Sequence, residues 1–236
     1  MINIDDHHTL LSEQIAYYQS RAHEYDEWFF RQRRYDRGPG LNQQWFKEVE
    51  EVHRQLRAFK PEGSVLELAC GTGIWTGQLL QHATHITAVD AASEMLAIHR
   101  ARIKSSAIQY VQADIFDWSP PERYDAVFFG FWLSHIPPER LKAFWGLVDT
   151  AVKPHGRVFF VDSKYEPMST AKDHRLEGEQ ATTVTRRLNN GCEFRIVKVF
   201  YKPDHLEKQV RKFGWNLTIK ETAHYFIYGY GGKERR

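Results

Sequence analysis

Residues 65–73 read Val65-Leu66-Glu67-Leu68-Ala69-Cys70-Gly71-Thr72-Gly73, an apolar run that passes into two closely spaced glycines. The apolar half is typical of a buried parallel strand, and the glycines permit a tight turn that a ligand can approach closely. A helix is predicted to follow over residues 74–81. Loops at the carboxyl ends of parallel strands are where such sheets bind ligands. The stretch therefore predicts a strand, a turn and a helix around a ligand site, although ordinary turns also contain this glycine spacing.

The alternation of short apolar runs with helical stretches continues along the chain. The predicted strands are 85–90, 108–111, 124–132, 156–161, 192–201 and 215–230, and the predicted helices are 93–104, 138–152 and 203–213. Strands that alternate with helices predict right-handed βαβ units and a parallel sheet. The last two strands lie close together in sequence, which indicates an antiparallel pair at the sheet edge. We predict an α/β fold with a doubly wound, seven-stranded, mostly parallel sheet, an antiparallel edge strand and helices on both faces.

Acidic side chains accompany the first three strands of this predicted sheet. Asp90 ends the second strand, where a carboxylate can accept hydrogen bonds from both hydroxyls of a ribose. Asp114 follows the third strand and is placed to accept from an adenine amino group, with Ile115 and Phe116 packed on the ring. Each acid alone is explained as well by a solvated loop. Together with Glu67 they indicate a ligand that contains a nucleoside.

These motifs resemble those of class I S-adenosylmethionine-dependent methyltransferases, of the bacterial type that acts on small molecules. The resemblance extends over residues 64–162 and includes Tyr124-Asp125-Ala126-Val127 as the fourth strand and His155-Gly156-Arg157-Val158 as the fifth. Ala69 departs from the family pattern, which more often has glycine there. A dinucleotide site fits less well, because it requires glycine where this chain has Thr76.

The resemblance implies S-adenosyl-L-methionine as the cofactor and S-adenosyl-L-homocysteine as its product. It also implies a helical N-terminal lid or cap, residues 1–60, on a Rossmann-like domain, residues 61–236. The stretch 17–26 resembles the segment that covers the cofactor in bacterial members of the family. The cofactor-binding residues that we predict on this basis are Tyr18, Arg21, Tyr25, Glu67, Ala69, Gly71, Thr72, Gly73, Asp90, Ala91, Met95, Asp114, Ile115, Phe116 and Phe131.

His135 is the candidate catalytic residue, since it follows the fourth strand beside the expected methyl group. Methyl transfer is an in-line displacement in which the protein chiefly aligns the acceptor, and a neutral imidazole is suited to removing a proton from it. A structural histidine that bonds the lid or the cofactor is the alternative. The acceptor is predicted to contact Tyr17, Trp28, Trp132 and His135.

Aromatic residues are predicted to line an acceptor pocket that suits a flat or partly apolar molecule, with core packing as the alternative. The aromatic set is Trp28, Phe30, Phe131 and Trp132. The segment Ser134-His135-Ile136-Pro137 differs from the motif of enzymes that methylate amino-purines or glutamine. Asp162 stands nearly alone after the fifth strand, so we predict no metal.

Composition limits the partners of the chain. Its 236 residues are 42% hydrophobic, carry a formal net charge of +2 and include two cysteines, Cys70 and Cys192. Two cysteines provide no disulfide framework, and neither a signal peptide nor an apolar run of roughly 18 residues is present. We expect a cytoplasmic protein with a small-molecule acceptor, with no membrane or nucleic-acid partner, and either monomeric or homodimeric.

Two other functions stay open. The basic stretches 31–37 and 233–236 would contact phosphates in an RNA methyltransferase. Alternatively, the chain would bind S-adenosylmethionine without transferring its methyl group.

Overall fold

The computed structural model describes residues 4–174 and 176–234, and side chains from residue 9 onward. Arg235 and Arg236, which belong to the predicted basic tail, lie outside the described residues. The α-helices are α1 Ile4–Arg21, α2 Tyr25–Phe29, α3 Pro39–Phe59, α4 Thr76–Leu79, α5 Ser93–Arg102, α6 Leu141–Ala151 and α7 Pro203–Arg211. The strands are β1 Gly63–Leu68, β2 Ala83–Asp90, β3 Ile108–Gln112, β4 Tyr124–Gly130, β5 Val152–Ser163, β6 Thr183–Arg187, β7 Glu193–Val197, β8 Trp215–Glu221 and β9 Phe226–Lys233.

Seven of these strands form one sheet in the order β3-β2-β1-β4-β5-β9-β8. Strands β1 to β5 are parallel, whereas β9 runs antiparallel to both β5 and β8. The predicted α/β fold, with seven mostly parallel strands and an antiparallel strand towards one edge, is therefore confirmed.

The composition of that edge differs from the prediction. The expected strand 215–230 is two strands, β8 and β9, separated by a turn, and they form the antiparallel hairpin. The expected strand 192–201 does not join the sheet. Only Glu193–Val197 of it is a strand, β7, which pairs with β6 in a separate two-stranded sheet, because its apolar residue Ile196 packs with Tyr17 and Val184 instead of the main core.

The helices also deviate from their predicted lengths. The helix expected over 74–81 is the single turn α4, because the glycine-containing turn continues to Trp75. The helix expected over 138–152 begins as a 3₁₀ turn, Pro138–Arg140, and ends at Ala151, where β5 follows directly.

The sheet is packed on both faces. On one face Phe128 stacks on Phe159 beneath helix α3, and on the other Phe129 stacks on Phe160 beneath helix α6. Adjacent residues of a strand point to opposite faces, so the two Phe pairs supply both cores. Helix α3, which lies in the predicted lid segment 1–60, is thus a layer of the core. Within the predicted lid segment, only the described residues that precede α3 lie over the carboxyl ends of the strands.

A second layer covers those strand ends and consists of α1, the β6–β7 hairpin and residues 163–174. Helix α1 is fixed to the hairpin through Gln14, which accepts from the Val197 amide (3.0 Å) and donates to the His135 carbonyl (3.1 Å). The described residues of this layer after Asp162 fall in a polar stretch, 163–190, that has no clear hydrophobic period and no predicted strand or helix.

Candidate active site

Two cavities lie between the strand ends and the covering layer. The first cavity has a volume of about 720 Å³. It is lined by Leu11, Gln14, Ile15, Tyr18, Tyr25, Ala69, Gly71, Asp90, Ala91, Ala92, Met95, Asp114, Ile115, Phe116, Gly130, Phe131, Trp132 and His135. Most of the residues predicted to bind the cofactor thus surround a single space.

Asp90 anchors the glycine loop at the rim of the first cavity. One carboxylate oxygen accepts from the Gly71 amide (2.8 Å) and the other from the Ala92 amide (2.9 Å). Burial raises the pKa of this carboxyl to about 6, against the lowering effect of the backbone hydrogen bonds. Each carboxylate oxygen has a second lone pair, so Asp90 retains two acceptor sites for a diol such as ribose.

Two residues of the first cavity have a left-handed backbone although they are not glycine. The φ angle is 51° at Ala69 and 55° at Phe131. Ala69 occupies the position at which the family pattern more often has glycine, and the positive φ explains that preference, since a Cβ is disfavoured there. Strained residues of this kind often cluster at ligand sites.

The far end of the first cavity combines one acid with flat apolar groups. Phe116 packs against Trp132 with ring centroids 5.8 Å apart, and the buried Ile115 lies beside them. Asp114 holds the turn by accepting from the Phe116 amide (2.9 Å). The arrangement can receive a planar heterocycle and accept a hydrogen bond from its edge.

Three of the predicted cofactor residues lie outside the first cavity but close to its loop. Glu67 and Thr72 line a smaller cavity of about 300 Å³ beneath the loop. Glu67 is buried and accepts from Thr76 Oγ1 (2.7 Å), and burial raises its pKa to about 8. Gly73 has a φ of 80°, and a Cβ there would overlap the His99 ring. Glu67 and Gly73 therefore shape the loop.

The second cavity, of about 590 Å³, adjoins the first. Tyr18, Tyr25, Phe131 and His135 line both. The remaining lining residues are Tyr17, Arg21, Trp28, Tyr35, Ser163, Ser169, Thr170, His174, Leu176, Arg186, Ile196, Lys198 and Phe200. Arg21, predicted to contact the cofactor, lines only this second cavity, together with the predicted acceptor residues Tyr17 and Trp28.

His135 stands at the junction of the two cavities. Its Nδ1 lies 2.7 Å from the Val197 carbonyl and therefore donates, which leaves Nε2 to accept from the Tyr18 hydroxyl at 2.9 Å. Burial, reinforced by the positive charge of Lys198, lowers the pKa of His135 well below its usual value. The imidazole is neutral and a weak base, and both of its nitrogens have partners.

The roof of the second cavity is held by the basic stretch 31–37. Arg31 donates to the carbonyls of Met168 (2.7 Å) and Ser169 (3.1 Å), and Arg37 donates to the Thr170 carbonyl (3.0 Å). Trp28 Nε1 also donates to Ser169 (2.9 Å). These arginines are engaged in fixing residues 167–174 and do not form an open basic face.

Sequence reasoning missed the polar residues of this cavity, Ser169, Thr170, His174, Arg186 and Lys198. All lie in or after the polar stretch 163–190, which has no clear hydrophobic period. The segment 185–191, which contains Arg186, resembles the family but indicates no role for that residue. Phe30, by contrast, was wrongly included in the aromatic pocket. Its side chain is 44% exposed and lines neither cavity, because it follows the last turn of α2 on the outer side.

Asp162 is buried, accepts from the Ser134 amide (2.8 Å) and lies 3.6 Å from Lys198 Nζ. Among the described residues, no group of three or more His, Cys, Asp or Glu side chains is arranged to hold a metal ion. In residues 4–174 and 176–234, no helix has the length and apolar character that crossing a membrane requires.

Comparison with known proteins gives a consistent set of relatives. Residues 65–156 match a family model described as a methyltransferase domain. The DhpI–SAH complex is 35% identical over 97% of this chain and 99% of its own, with a TM-score of 0.77. The DhpI–SAM–HEP complex is 36% identical over 94% of this chain and 96% of its own, with a TM-score of 0.75.

A curated relative matches over a shorter stretch. The malonyl-[acyl-carrier protein] O-methyltransferase of Paenibacillus sp. (strain JDR-2) is 35% identical over 95 residues, which are 36% of this chain and 34% of that protein. The match therefore spans about a third of the relative's length.

Proposed function

This chain belongs to the class I S-adenosylmethionine-dependent methyltransferases, and on that basis we propose that it methylates an oxygen atom of a small acceptor held in the second cavity. The observation that supports this proposal most strongly is the pair of adjoining cavities, which share four residues. The residues of the first cavity would hold S-adenosylmethionine, which would supply the methyl group for an acceptor in the second cavity. Oxygen as the target agrees with the relative named as an O-methyltransferase.

The roles of the first-cavity residues follow from their chemistry. Asp90 accepts the ribose hydroxyls with its two remaining lone pairs. Asp114 accepts from the adenine amino group, while Ile115, Phe116 and Trp132 enclose the ring. Helix α1 and the chain to residue 35 form the lid of both cavities. This lid is shorter than the predicted lid segment 1–60.

His135 has two possible roles, as a general base or as a positioning residue. Its Nε2 already accepts from Tyr18, so it would receive a proton from an acceptor only through that hydroxyl. Its lowered pKa makes it a weak base. The contacts favour a positioning role in which His135 fixes the Tyr18 ring at the junction.

The two other functions have less support. The second cavity lies under a roof that Arg31 and Arg37 hold in place, so these two side chains are engaged and not available for RNA phosphates. A protein that only binds S-adenosylmethionine has no need of a second, polar cavity beside the methyl group.

Calorimetric titration with S-adenosylhomocysteine, and with NAD in parallel, tests the cofactor site. We expect binding of S-adenosylhomocysteine alone. Asp90→Ala should weaken that binding about 100-fold, because two hydrogen bonds to a charged group are lost. The control is Asp117→Ala, which removes an exposed carboxylate from the neighbouring loop. Preferential binding of NAD, or an unchanged Asp90→Ala variant, would contradict the proposal.

Methyl-labelled S-adenosylmethionine tests the acceptor class. The purified protein is incubated with the labelled cofactor and either a pool of small metabolites or total RNA. We expect the label in the small-molecule fraction. Label in RNA would support the RNA methyltransferase, and no transfer to either would support a protein that only binds the cofactor.

A further inference from the structure

Three cationic side chains from separate segments meet in the second cavity. Arg21 ends helix α1, Arg186 lies in β6, and Lys198 follows β7. Arg21 and Lys198 are only 8% and 6% exposed, and Arg186 is partly buried. Among the described residues that line this cavity there is no aspartate or glutamate. Buried charges are costly unless they are paired, so the composition of this wall requires an explanation.

Lys198 has partners of its own. Its Nζ donates to Ser134 Oγ (2.7 Å) and lies 3.6 Å from the buried carboxylate of Asp162. Burial, opposed by the charge of Asp162, lowers the pKa of Lys198 to about 8. Asp162 thus compensates one of the three cations.

The two arginines are not compensated. Within the described part of the chain neither forms an ion pair, and their hydrogen-bond partners are neutral groups: two hydroxyls and, for Arg186, also His174 Nδ1 at 3.4 Å. Arg21 donates to the Tyr35 hydroxyl (3.3 Å) and Arg186 to Thr170 Oγ1 (3.1 Å). Arg21 Nε and the Tyr17 hydroxyl are buried without any partner in the described structure. Buried donors of this kind are seldom left unsatisfied.

Aromatic rings hold Arg21 in place without using its N–H groups. Its guanidinium carbon lies 5.4 Å from the centre of the Tyr17 ring and 4.9 Å from that of Tyr25. Such cation–π contacts fix the plane of the group and leave its edges free for a bidentate oxyanion. Tyr17, predicted to contact the acceptor, and Tyr25, predicted to contact the cofactor, therefore position a cation.

The cofactor does not neutralise this charge. S-adenosylmethionine has a sulfonium and an ammonium group against one carboxylate, so its binding adds positive charge beside the cavity. We propose that the second cavity binds the acceptor through a carboxylate or phosphoryl oxyanion, held by Arg21 and Arg186. This inference rests on the proposed function, since it names the chemical class of the acceptor in that cavity.

The reaction then needs no general base. A lone pair of the acceptor oxyanion attacks the methyl carbon, the O–C bond forms, and the S–C bond breaks with its electron pair going to sulfur. Because the attacking oxygen is already deprotonated at neutral pH, no proton has to be removed, in agreement with the engaged nitrogens of His135. The methylated product has one negative charge fewer, which weakens its attraction to the arginines and favours its release.

The test is calorimetric titration of the protein, alone and loaded with S-adenosylhomocysteine, with sodium malonate, inorganic phosphate and neutral malonamide. We expect one of the two anions to bind, and its identity distinguishes a carboxylate from a phosphoryl acceptor. Malonamide should not bind. Arg186→Gln should weaken anion binding at least tenfold, in line with the loss of a charge-assisted hydrogen bond of about 1.5–3 kcal/mol.

Two further variants distinguish the loss of a positive charge from a defect in folding. Arg186→Lys keeps the charge and should restore part of the affinity. Arg195→Gln removes an exposed cation from β7 of the same hairpin, where it pairs with Glu13, and should leave anion binding unchanged within twofold. Arg186 does not line the first cavity, so S-adenosylhomocysteine should bind its variants normally.

The inference is overturned if malonamide binds as well as malonate, if neither anion binds, or if Arg186→Gln binds anions like the unmodified protein. Failure of S-adenosylhomocysteine to bind would instead contradict the proposed function. The titrations of the unloaded protein still decide whether the cavity selects anions, so the two failures are distinguishable.

Discussion

The two cavities of the site are built in different ways. The first is formed mainly by loops that follow β1, β2, β3 and β4, within residues 69–132. The second combines residues of α1, the loop after β5, the β6–β7 hairpin and the chain to residue 200. The first cavity therefore depends on short-range motifs, whereas the second depends on contacts between segments far apart in sequence.

This difference extends to chemistry. The first cavity presents carboxylates and apolar surface, which suit a nucleoside, and the second presents buried cations. In the proposed function, the cofactor in the first cavity would add its own positive charge beside these cations. We infer that the parallel sheet supplies the cofactor site, and that the covering layer supplies the selection of the acceptor. Four substitutions test this comparison, at the loop of the first cavity, at the roof of the second and at the junction between them.

The largest effect is expected at Glu67, beneath the loop of the first cavity. Its folded pKa is about 8, against an ordinary value of 4.5. Between these values the unfolded state is ionised while the folded state retains the proton, so stability falls as pH rises from about 4.5 to 8. Glu67→Gln avoids this loss and should raise the free energy of unfolding by about 4 kcal/mol at pH 8.

Denaturant titrations at pH 5 and pH 8 measure this effect, and the gain should nearly vanish at pH 5. Glu62→Gln, at an exposed position before β1, is the control and should show no such pH dependence. An equal effect of Glu67→Gln at both pH values would mean that the buried carboxyl is not protonated.

Arg31→Met tests whether the roof of the second cavity can be loosened alone. The substitution leaves the Met168 carbonyl without its donor and the Ser169 carbonyl with Trp28 Nε1 alone. It should lower the free energy of unfolding by about 2–3 kcal/mol, because two hydrogen bonds from a charged group are lost. Hydrogen exchange should accelerate in residues 165–174, while S-adenosylhomocysteine binds within threefold of normal. Arg33→Met, at a side chain that is 73% exposed, is the control. A large loss of cofactor affinity would show that the cavities are not separable.

Tyr18→Phe tests the junction. The substitution removes the hydroxyl that donates to His135 Nε2 and should cost about 1–2 kcal/mol of stability, because a buried acceptor is left unsatisfied. The imidazole ¹⁵N spectrum should still show the neutral Nδ1–H tautomer between pH 5 and 8. Tyr165→Phe, whose hydroxyl donates at the surface, is the control. An imidazolium signal near pH 6 in the unmodified protein would favour the general-base role instead.

The smallest effect is expected at Ala69. Glycine removes the steric strain of a Cβ in the left-handed conformation, which is about 1–2 kcal/mol. Glycine also loses more chain entropy on folding, which costs about 0.5–1 kcal/mol. Ala69→Gly should therefore stabilise the protein by about 0.5 kcal/mol. The same exchange at Ala143, an exposed position inside helix α6, should destabilise it by about 1 kcal/mol. Thermal unfolding of both variants measures these changes, and the midpoint should rise for Ala69→Gly and fall for Ala143→Gly.

The amino-acid sequence by itself determined the parallel sheet and most of the first cavity. Alternating strands and helices fix the topology, and the acids at Asp90 and Asp114 come at strand ends that must meet at one edge of the sheet. In these loops the ligand-facing residues lie within a few positions of a buried strand. One short motif therefore predicts both the strand and the residues that face the ligand.

Only the tertiary structure decided the second cavity. Arg186 and Lys198 lie in stretches whose local pattern resembles any polar hairpin, and the hairpin joins α1 rather than the main sheet. The exposure of Phe30 and the division of the last strand region were likewise invisible in the sequence. The physical reason is that contacts over more than a hundred residues, such as Gln14 with His135 and Arg31 with Ser169, depend on how complete elements pack. No local spacing encodes such packing, and it is packing that brings the cations together.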